Sequence, residues 1–154
     1  MHTLKRTNKL PISVEEAWNF FSNPRNLKEI TPDYMGFNIT SEFFKEKMYA
    51  GMIITYKVTP LLNIPMSWMT EITQVKENEF FIDEQRIGPY KIWHHQHHFK
   101  AIEGGVEMTD IIDYVIPLGF LGKMVEPLLV RGKLREIFDY REEKMDKLFG
   151  KFQE

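Results

Sequence analysis

The segment "IWHHQHHF" at 92–99 gathers four of the chain's 5 histidines between Trp93 and Phe99. Imidazoles placed this way can hold a metal ion, exchange protons near neutral pH, or offer hydrogen bonds to a bound molecule. Which of these is open to them depends on which share a face. Successive side chains of a strand point to opposite sides. His95 and His97 therefore stand with Trp93 and Phe99, whereas His94 and His98 stand with Gln96 and Lys100. The aromatic side is the one expected to be buried, and His94 and His98 read as solvated histidines of a polar outer face.

The segment "VEMTDIIDYVI" at 106–116 supplies a carboxylate. Asp110 and Tyr114 share the row of Val106, Met108, Ile112 and Ile116, so an ionisable residue is expected to look inward. If Glu103-Gly104 is a two-residue hairpin loop, Ile102 pairs with Gly105 and His97 falls opposite Asp110. With Gly104-Gly105 as the loop, Asp110 faces Phe99 and reaches His97 diagonally. Either register puts a carboxylate beside an imidazole, which fixes its tautomer and favours the imidazolium. In "FFIDEQRI" the period alone does not choose between the row of Phe81, Asp83, Gln85 and Ile87 and the row of Phe80, Ile82, Glu84 and Arg86.

Several chemistries compete for these groups. His95 and His97, two residues apart on a strand, have usable zinc-ligand spacing, with Asp83 or Asp110 as a third ligand. No third inward histidine exists, because His2 is the only one outside the cluster. Neither a metal nor another cofactor is therefore expected. A buried polar network that satisfies itself is a second possibility, since each bare group costs about 1–3 kcal/mol. The third, and the expected one, is a ligand pocket: apolar walls with a few directed polar groups. An enzyme of the cyclase, dehydratase or hydrolase type is the alternative, with His97 tuned by Asp110 as acid/base and Tyr114 or His95 donating to a carbonyl. The chain has no nucleophile elbow, phosphate loop or cofactor fingerprint, and no residue is assigned as catalytic.

The elements that must position these residues follow from capping and periodicity. The opening "MHTLKRTNKL" reads as a first strand. Ser13 with Glu16 three residues on makes a capping box, starting a helix with Ala17, Phe20 and Phe21 on one face and ending near Ser22. "NPRNLKEITP" reads as a second short helix stopped before Pro32. From Phe37 the period changes to two: Phe37, Ile39, Ser41 and Phe43, then Met52, Ile54, Tyr56 and Val58, then Met66, Trp68, Thr70 and Ile72. Three more strands end at Gly88-Pro89, Gly104-Gly105 and Pro117. Helical spacing returns in Leu134, Ile137, Phe138, Met145, Leu148, Phe149 and Phe152. A helix from Pro127, where a kink or fresh start is expected, to Phe149 would run about 35 Å. The basic positions Lys123, Arg131, Lys133, Arg135 and Arg141 alternate with glutamates and read as its solvated face. A long helix laid on a curved antiparallel sheet buries its apolar stripe on the concave side, and a gap between the two is a pocket.

Composition bounds the partners. The chain's 154 residues fit one domain, read as a single unit over 1–154, large enough to bury roughly 68–70% of its unfolded surface and so to tolerate a hollow core. With 20 Lys plus Arg against 22 Asp plus Glu, no electrostatic case exists for a nucleic-acid partner. The absence of cysteine removes disulfides, thiol nucleophiles and Cys-type zinc sites, and suits a reducing cytoplasm. Neither a signal peptide nor a membrane span is expected, since the most apolar late stretch, "LGFLGKMVEPLLV", is broken by Lys123 and Glu126.

The chain resembles the START-like SRPBCC superfamily, and within it the bacterial ligand-binding SRPBCC proteins of the polyketide-cyclase-like branch. The segments "SVEEAWNFFSNPRNLKEITP", "AGMIITYKV", "TDIIDYVIPLG" and "LREIFDYREEKMDKLF" carry the resemblance. Its most specific part is "FFIDEQRIGPYKIWHHQHHF", similar to the pattern F-x-D-x-Q-x-x-G-P-x-x-x-W-x-H-x-H-x-F. The resemblance implies an α+β helix-grip fold: a curved antiparallel sheet of about seven strands wrapped round a long C-terminal helix, with two short helices after strand 1. It also implies that Phe81, Asp83, Gln85, Trp93, His95, His97, Phe99, Asp110 and Tyr114 line or support an apolar cavity. The resulting expectation is a binder of a small, largely hydrophobic molecule. Tyr56, Trp68, Phe81, Trp93 and Phe99 would wrap the molecule's body. Asp83, Gln85, His95, His97, Asp110 and Tyr114 would meet its polar head.

Overall fold

The computed structural model describes residues 1–42, 47–59, 64–117 and 130–153. Strand β1 (His2–Leu10) is followed by helix α1 (Val14–Phe21) and by two 3-10 helices, Pro24–Ile30 and Asp33–Met35. Strands β2 (Asn38–Ile39), β3 (Met52–Val58), β4 (Met66–Lys76), β5 (Phe80–Ile87), β6 (Ile92–Ile102) and β7 (Gly105–Val115) come next. Helix α2 (Arg131–Phe149) closes the fold. The strands form one curved antiparallel sheet in the order β1-β7-β6-β5-β4-β3-β2. From β2 onward each strand pairs with the next, and β1 closes onto β7, so α1 and the 3-10 segments carry the chain from one edge of the sheet to the other.

Local chemistry explains each boundary. The Ser13 hydroxyl accepts from the Glu16 N–H at 3.1 Å while the Glu16 carboxylate accepts from the Ser13 N–H at 2.9 Å, so the expected capping box starts α1. Ser22 ends it. The buried face of α1 is Ala17, Trp18 and Phe21; Phe20 is only half-buried, and Trp18 takes the inward place. The second short helix is 3-10 rather than α, opened by an Asn23 side chain that accepts from the Arg25 N–H at 3.1 Å.

The strand expected from Phe37 to Phe43 shrinks to two residues. Thr40 and Ser41 both donate to the Thr55 carbonyl, two residues against one, and a bulge of that kind ends regular pairing. Phe43 and Pro127 lie outside the described residues. Helix α2 has 19 residues and so spans about 28 Å. It buries Leu134, Phe138, Arg141 and Met145. Leu148, expected in its apolar stripe, is exposed instead. Arg141, expected on the solvated face, is buried.

The β6–β7 hairpin takes the two-residue loop Glu103-Gly104, with Gly104 at φ +78° and Ile102 paired with Gly105. That register sets His97 opposite Asp110. Space at Gly105 keeps the hairpin base in place: a Cβ there would lie 2.0 Å from the Leu10 carbonyl oxygen, whereas one at Gly132 would meet nothing within 4 Å. Gly105→Ala is therefore expected to destabilise by roughly 1–3 kcal/mol through overpacking. Gly132→Ala should stabilise by about 0.4–1 kcal/mol, because alanine has less backbone freedom to lose on folding. Urea unfolding of the two variants measures these opposite signs.

Candidate functional site

The inner row of β7 is Val106, Met108, Asp110, Ile112 and Tyr114, all buried, so a carboxylate does interrupt an apolar row. On β6 the side chains of His95 and His97 are 7% and 11% exposed, against 33% for His94. The assigned faces hold. Strand β5 pairs Asp83 with His95 and Phe81 with His97, which turns the Phe81 and Asp83 row to the same side.

Two histidines and two aspartates close into a ring. His97 Nε2 donates to Asp83 Oδ2 at 2.9 Å, and His97 Nδ1 lies 2.8 Å from Asp110 Oδ1. His95 Nε2 donates to that same Asp110 oxygen at 3.0 Å, and His95 Nδ1 faces Asp83 Oδ2 at 3.5 Å. The imidazole centroids are 3.7 Å apart. Helix α2 adds Arg141, whose Nη1 is 3.9 Å from Asp110 Oδ1 and whose guanidinium lies over the Phe138 ring. Arg141 Nε is buried with no hydrogen-bond partner.

Burial alone would raise both carboxylic acids. The charge of His95 and the hydrogen bond from His97 outweigh it at Asp83, and hydrogen bonds from His95 and His97 hold Asp110 well below the ordinary carboxylate range. Burial pushes His95 down, helped by the neighbouring His97 charge. His97 moves up despite burial, because its bonds to Asp110 and Asp83 favour the cation. The directions describe a balanced cluster: the carboxylates of Asp83 and Asp110 favour their anions, His97 favours its cation beside the Arg141 guanidinium, and burial pulls His95 back toward the neutral ring. Neutrality of this kind is what makes four such groups tolerable away from water.

Beside the cluster lies a hollow of about 170 Å³ between the sheet and α2. Seven of the expected site residues line it: Tyr56, Trp68, Phe81, Asp83, Trp93, His95 and His97. Tyr56 stacks on Trp68 at 6.0 Å and Trp93 meets Trp68 edge-on at 5.4 Å. The Trp68 indole N–H donates to Thr70 Oγ1 at 3.1 Å, which fixes that wall. Burial, then the charge of Asp83, push the Tyr56 hydroxyl up, so it stays neutral.

Similarity to solved structures lies in the backbone. Protein Ms6760 from Mycobacterium smegmatis superposes with a TM-score of 0.68 at 21% identity, covering 95% of this chain and 89% of that one. Protein CV1439 from Chromobacterium violaceum gives 0.74 at 10% identity over 99% and 100%. Ara h 8.0201, a Bet v 1-like relative of START and SRPBCC proteins, gives 0.60 at 14% identity over 95% and 98%. What they share is the helix-grip fold. No family model and no curated protein matches the sequence.

Four expected site residues stand apart from the hollow of this helix-grip fold. Asp110 sits behind the two histidines. Gln85 spends its amide on the turn before β6, donating to the Tyr90 carbonyl at 2.6 Å and accepting from its N–H at 3.2 Å. Phe99 packs against Trp18 at 5.5 Å, and Tyr114 belongs to the cluster of Ile112, Leu134 and Phe138. Tyr90, Leu134, Ile137, Phe138 and Arg141 do line the hollow and were not expected there. Arg141 could have been found from spacing: it falls seven residues after Leu134, three after Phe138 and four before Met145, on the apolar stripe. Among the described residues no helix is long and apolar enough to cross a membrane.

Proposed function

We propose that this protein binds a small, largely apolar molecule with a carbonyl-type or anionic head in the hollow between the sheet and α2. One observation carries the reading: aromatic and aliphatic walls meet an ionisable patch of Asp83, His95, His97 and Arg141, and Arg141 Nε has no partner there. A buried donor left bare costs about 1–3 kcal/mol, so an acceptor supplied by a ligand would relieve it. A volume of about 170 Å³ is close to the roughly 150 Å³ of an apolar cavity that admits benzene, which suits a body of one or two rings. The cysteine-free composition fits a reducing cytoplasm.

Native mass spectrometry of protein purified from its source is expected to show a retained small molecule. His97→Ala should weaken its retention by about 10- to 100-fold, because it leaves the carboxylates of Asp83, at the hollow, and Asp110, behind it, without a charged hydrogen bond of about 1.5–3 kcal/mol. His94→Ala, on the outer face, should leave retention unchanged. Equal losses in the two variants count against this site. A second reading, a cyclase, dehydratase or hydrolase using the same hollow, is favoured by the His97 contacts with both carboxylates, which favour the protonated ring that acid/base chemistry needs. Turnover of the retained molecule on incubation selects that reading.

A further inference from the structure

The inner faces of β5 and β6 place three metal-ligating side chains at one point. Single ligand atoms of Asp83, His95 and His97 all lie within 4.8 Å of one another. Asp83 Oδ2 is 2.9 Å from His97 Nε2 and 3.5 Å from His95 Nδ1. Ligands about 2.0–2.1 Å from a tetrahedral zinc stand about 3.3 Å apart, so these spacings bracket what such an ion needs.

The remaining ring nitrogens supply an independent observation. His95 Nε2 and His97 Nδ1 both meet Asp110 Oδ1, at 3.0 and 2.8 Å. Metal-bound histidines characteristically give their second nitrogen to a carboxylate, which fixes the ring and makes the ligating nitrogen more basic. Here one buried carboxylate serves two histidines. Asp83, His95 and His97 border the hollow, while Asp110 lies behind them.

We propose that His95 Nδ1, His97 Nε2 and Asp83 Oδ2 bind one divalent transition-metal ion of the zinc or iron(II) class, with Asp110 as the shared orienting carboxylate. Two imidazoles and one carboxylate suit those ions better than magnesium or calcium, which prefer all-oxygen shells. Three protein ligands leave coordination positions open toward the hollow, as in sites that bind a further molecule on the metal. Charge then defines that molecule. With both histidines neutral as ligands, Asp83, Asp110 and Arg141 sum to minus one, a divalent ion brings the cluster to plus one, and one monoanionic oxygen donor restores neutrality. A carboxylate, an enolate or hydroxide meets the requirement, and the unpartnered Arg141 Nε gives such an anion a second contact. His94 and His98 take no part, since they lie on the outer face against Glu84 and Gln96.

The inference stands apart from the organic ligand and is tested without one. Tag-free protein dialysed against chelator is titrated with zinc by calorimetry and with cobalt(II) by visible absorption. One equivalent is expected to bind, micromolar or tighter. Asp83→Asn and His97→Gln should abolish that binding, Asp110→Asn should weaken it about 10- to 100-fold, and a His94→Gln, His98→Gln double variant should bind like the parent. Anomalous diffraction from zinc-soaked crystals of the unaltered protein locates the ion even if a variant does not fold. Failure of the unaltered protein to bind one equivalent overturns the proposal. So does binding that survives Asp83→Asn but is lost in the outer-face double variant, or an anomalous peak on the outer face.

Discussion

Asp110→Ala lowers the folding stability of the metal-free protein by about 3–5 kcal/mol, the cost of breaking a buried charge cluster from one side. Asp110 receives His95 Nε2, meets His97 Nδ1 and faces Arg141, and its side chain is 5% exposed. Its removal leaves the cations of His97 and Arg141 among apolar neighbours with only Asp83 to balance them. Urea unfolding near neutral pH measures the loss, and a value below about 1 kcal/mol would show that the ring does not hold the fold. The pH dependence has a definite sign. The Asp110 carboxyl titrates lower in the folded protein than the unfolded value of about 3.9, so its contribution is complete above that pH and disappears as pH falls toward the folded value. Asp110→Asn should accordingly unfold with a shallower slope below about pH 4 than the parent. His97, raised on folding, contributes below about pH 6.5 and loses its contribution as pH rises through its folded value. His95, lowered on folding, contributes above about pH 6.5 and loses its contribution as pH falls below that value, so the two histidines together stabilise most near pH 6.5.

Strand parity was legible because it is a local property. A period of two assigns His95 and His97 to one side whatever the rest of the chain does, and a two-residue loop then counts out His97 against Asp110. Depth was not legible. Phe99 and Trp93 share a row, yet Trp93 borders the hollow and Phe99 packs beneath α1, because where the helices cover the sheet is set by the whole topology. Gln85 has the inward parity but lies near the β5–β6 turn, where an unpaired backbone recruits its amide before a ligand can. Arg141 was hidden by its chemistry: a guanidinium on an amphipathic helix is normally solvated, and here the buried carboxylates of Asp110 and Asp83 across the interface stabilise its inward place. The partner of His95 was likewise out of reach. The register puts His95 opposite Asp83 and Ile112, and its bond to Asp110 runs diagonally across the sheet.

Behind the ring stands a stack of aromatic side chains that ties its geometry to the core. Phe81 stacks on His97 with centroids 4.1 Å apart and an interplanar angle of 20°. Trp18 of α1 braces that ring, meeting Phe81 edge-on at 6.0 Å and Phe99 at 5.5 Å while itself 2% exposed. Trp18→Ala is expected to cost about 3–5 kcal/mol, since it empties a large volume in a core that the surrounding β-sheet cannot collapse to fill. Trp18→Phe should keep most of the stability by preserving one ring edge against Phe81. The connection to the site predicts coupling as well as loss. In a double-mutant cycle, Trp18→Ala and Phe81→Leu should differ from additivity by about 0.5 kcal/mol or more, because both act on one stack. The His97 ring resonances should shift in each single variant. Additive stabilities together with unmoved His97 resonances would mean that the core and the ring are mechanically separate, and that the position of His97 is set by its two carboxylates alone.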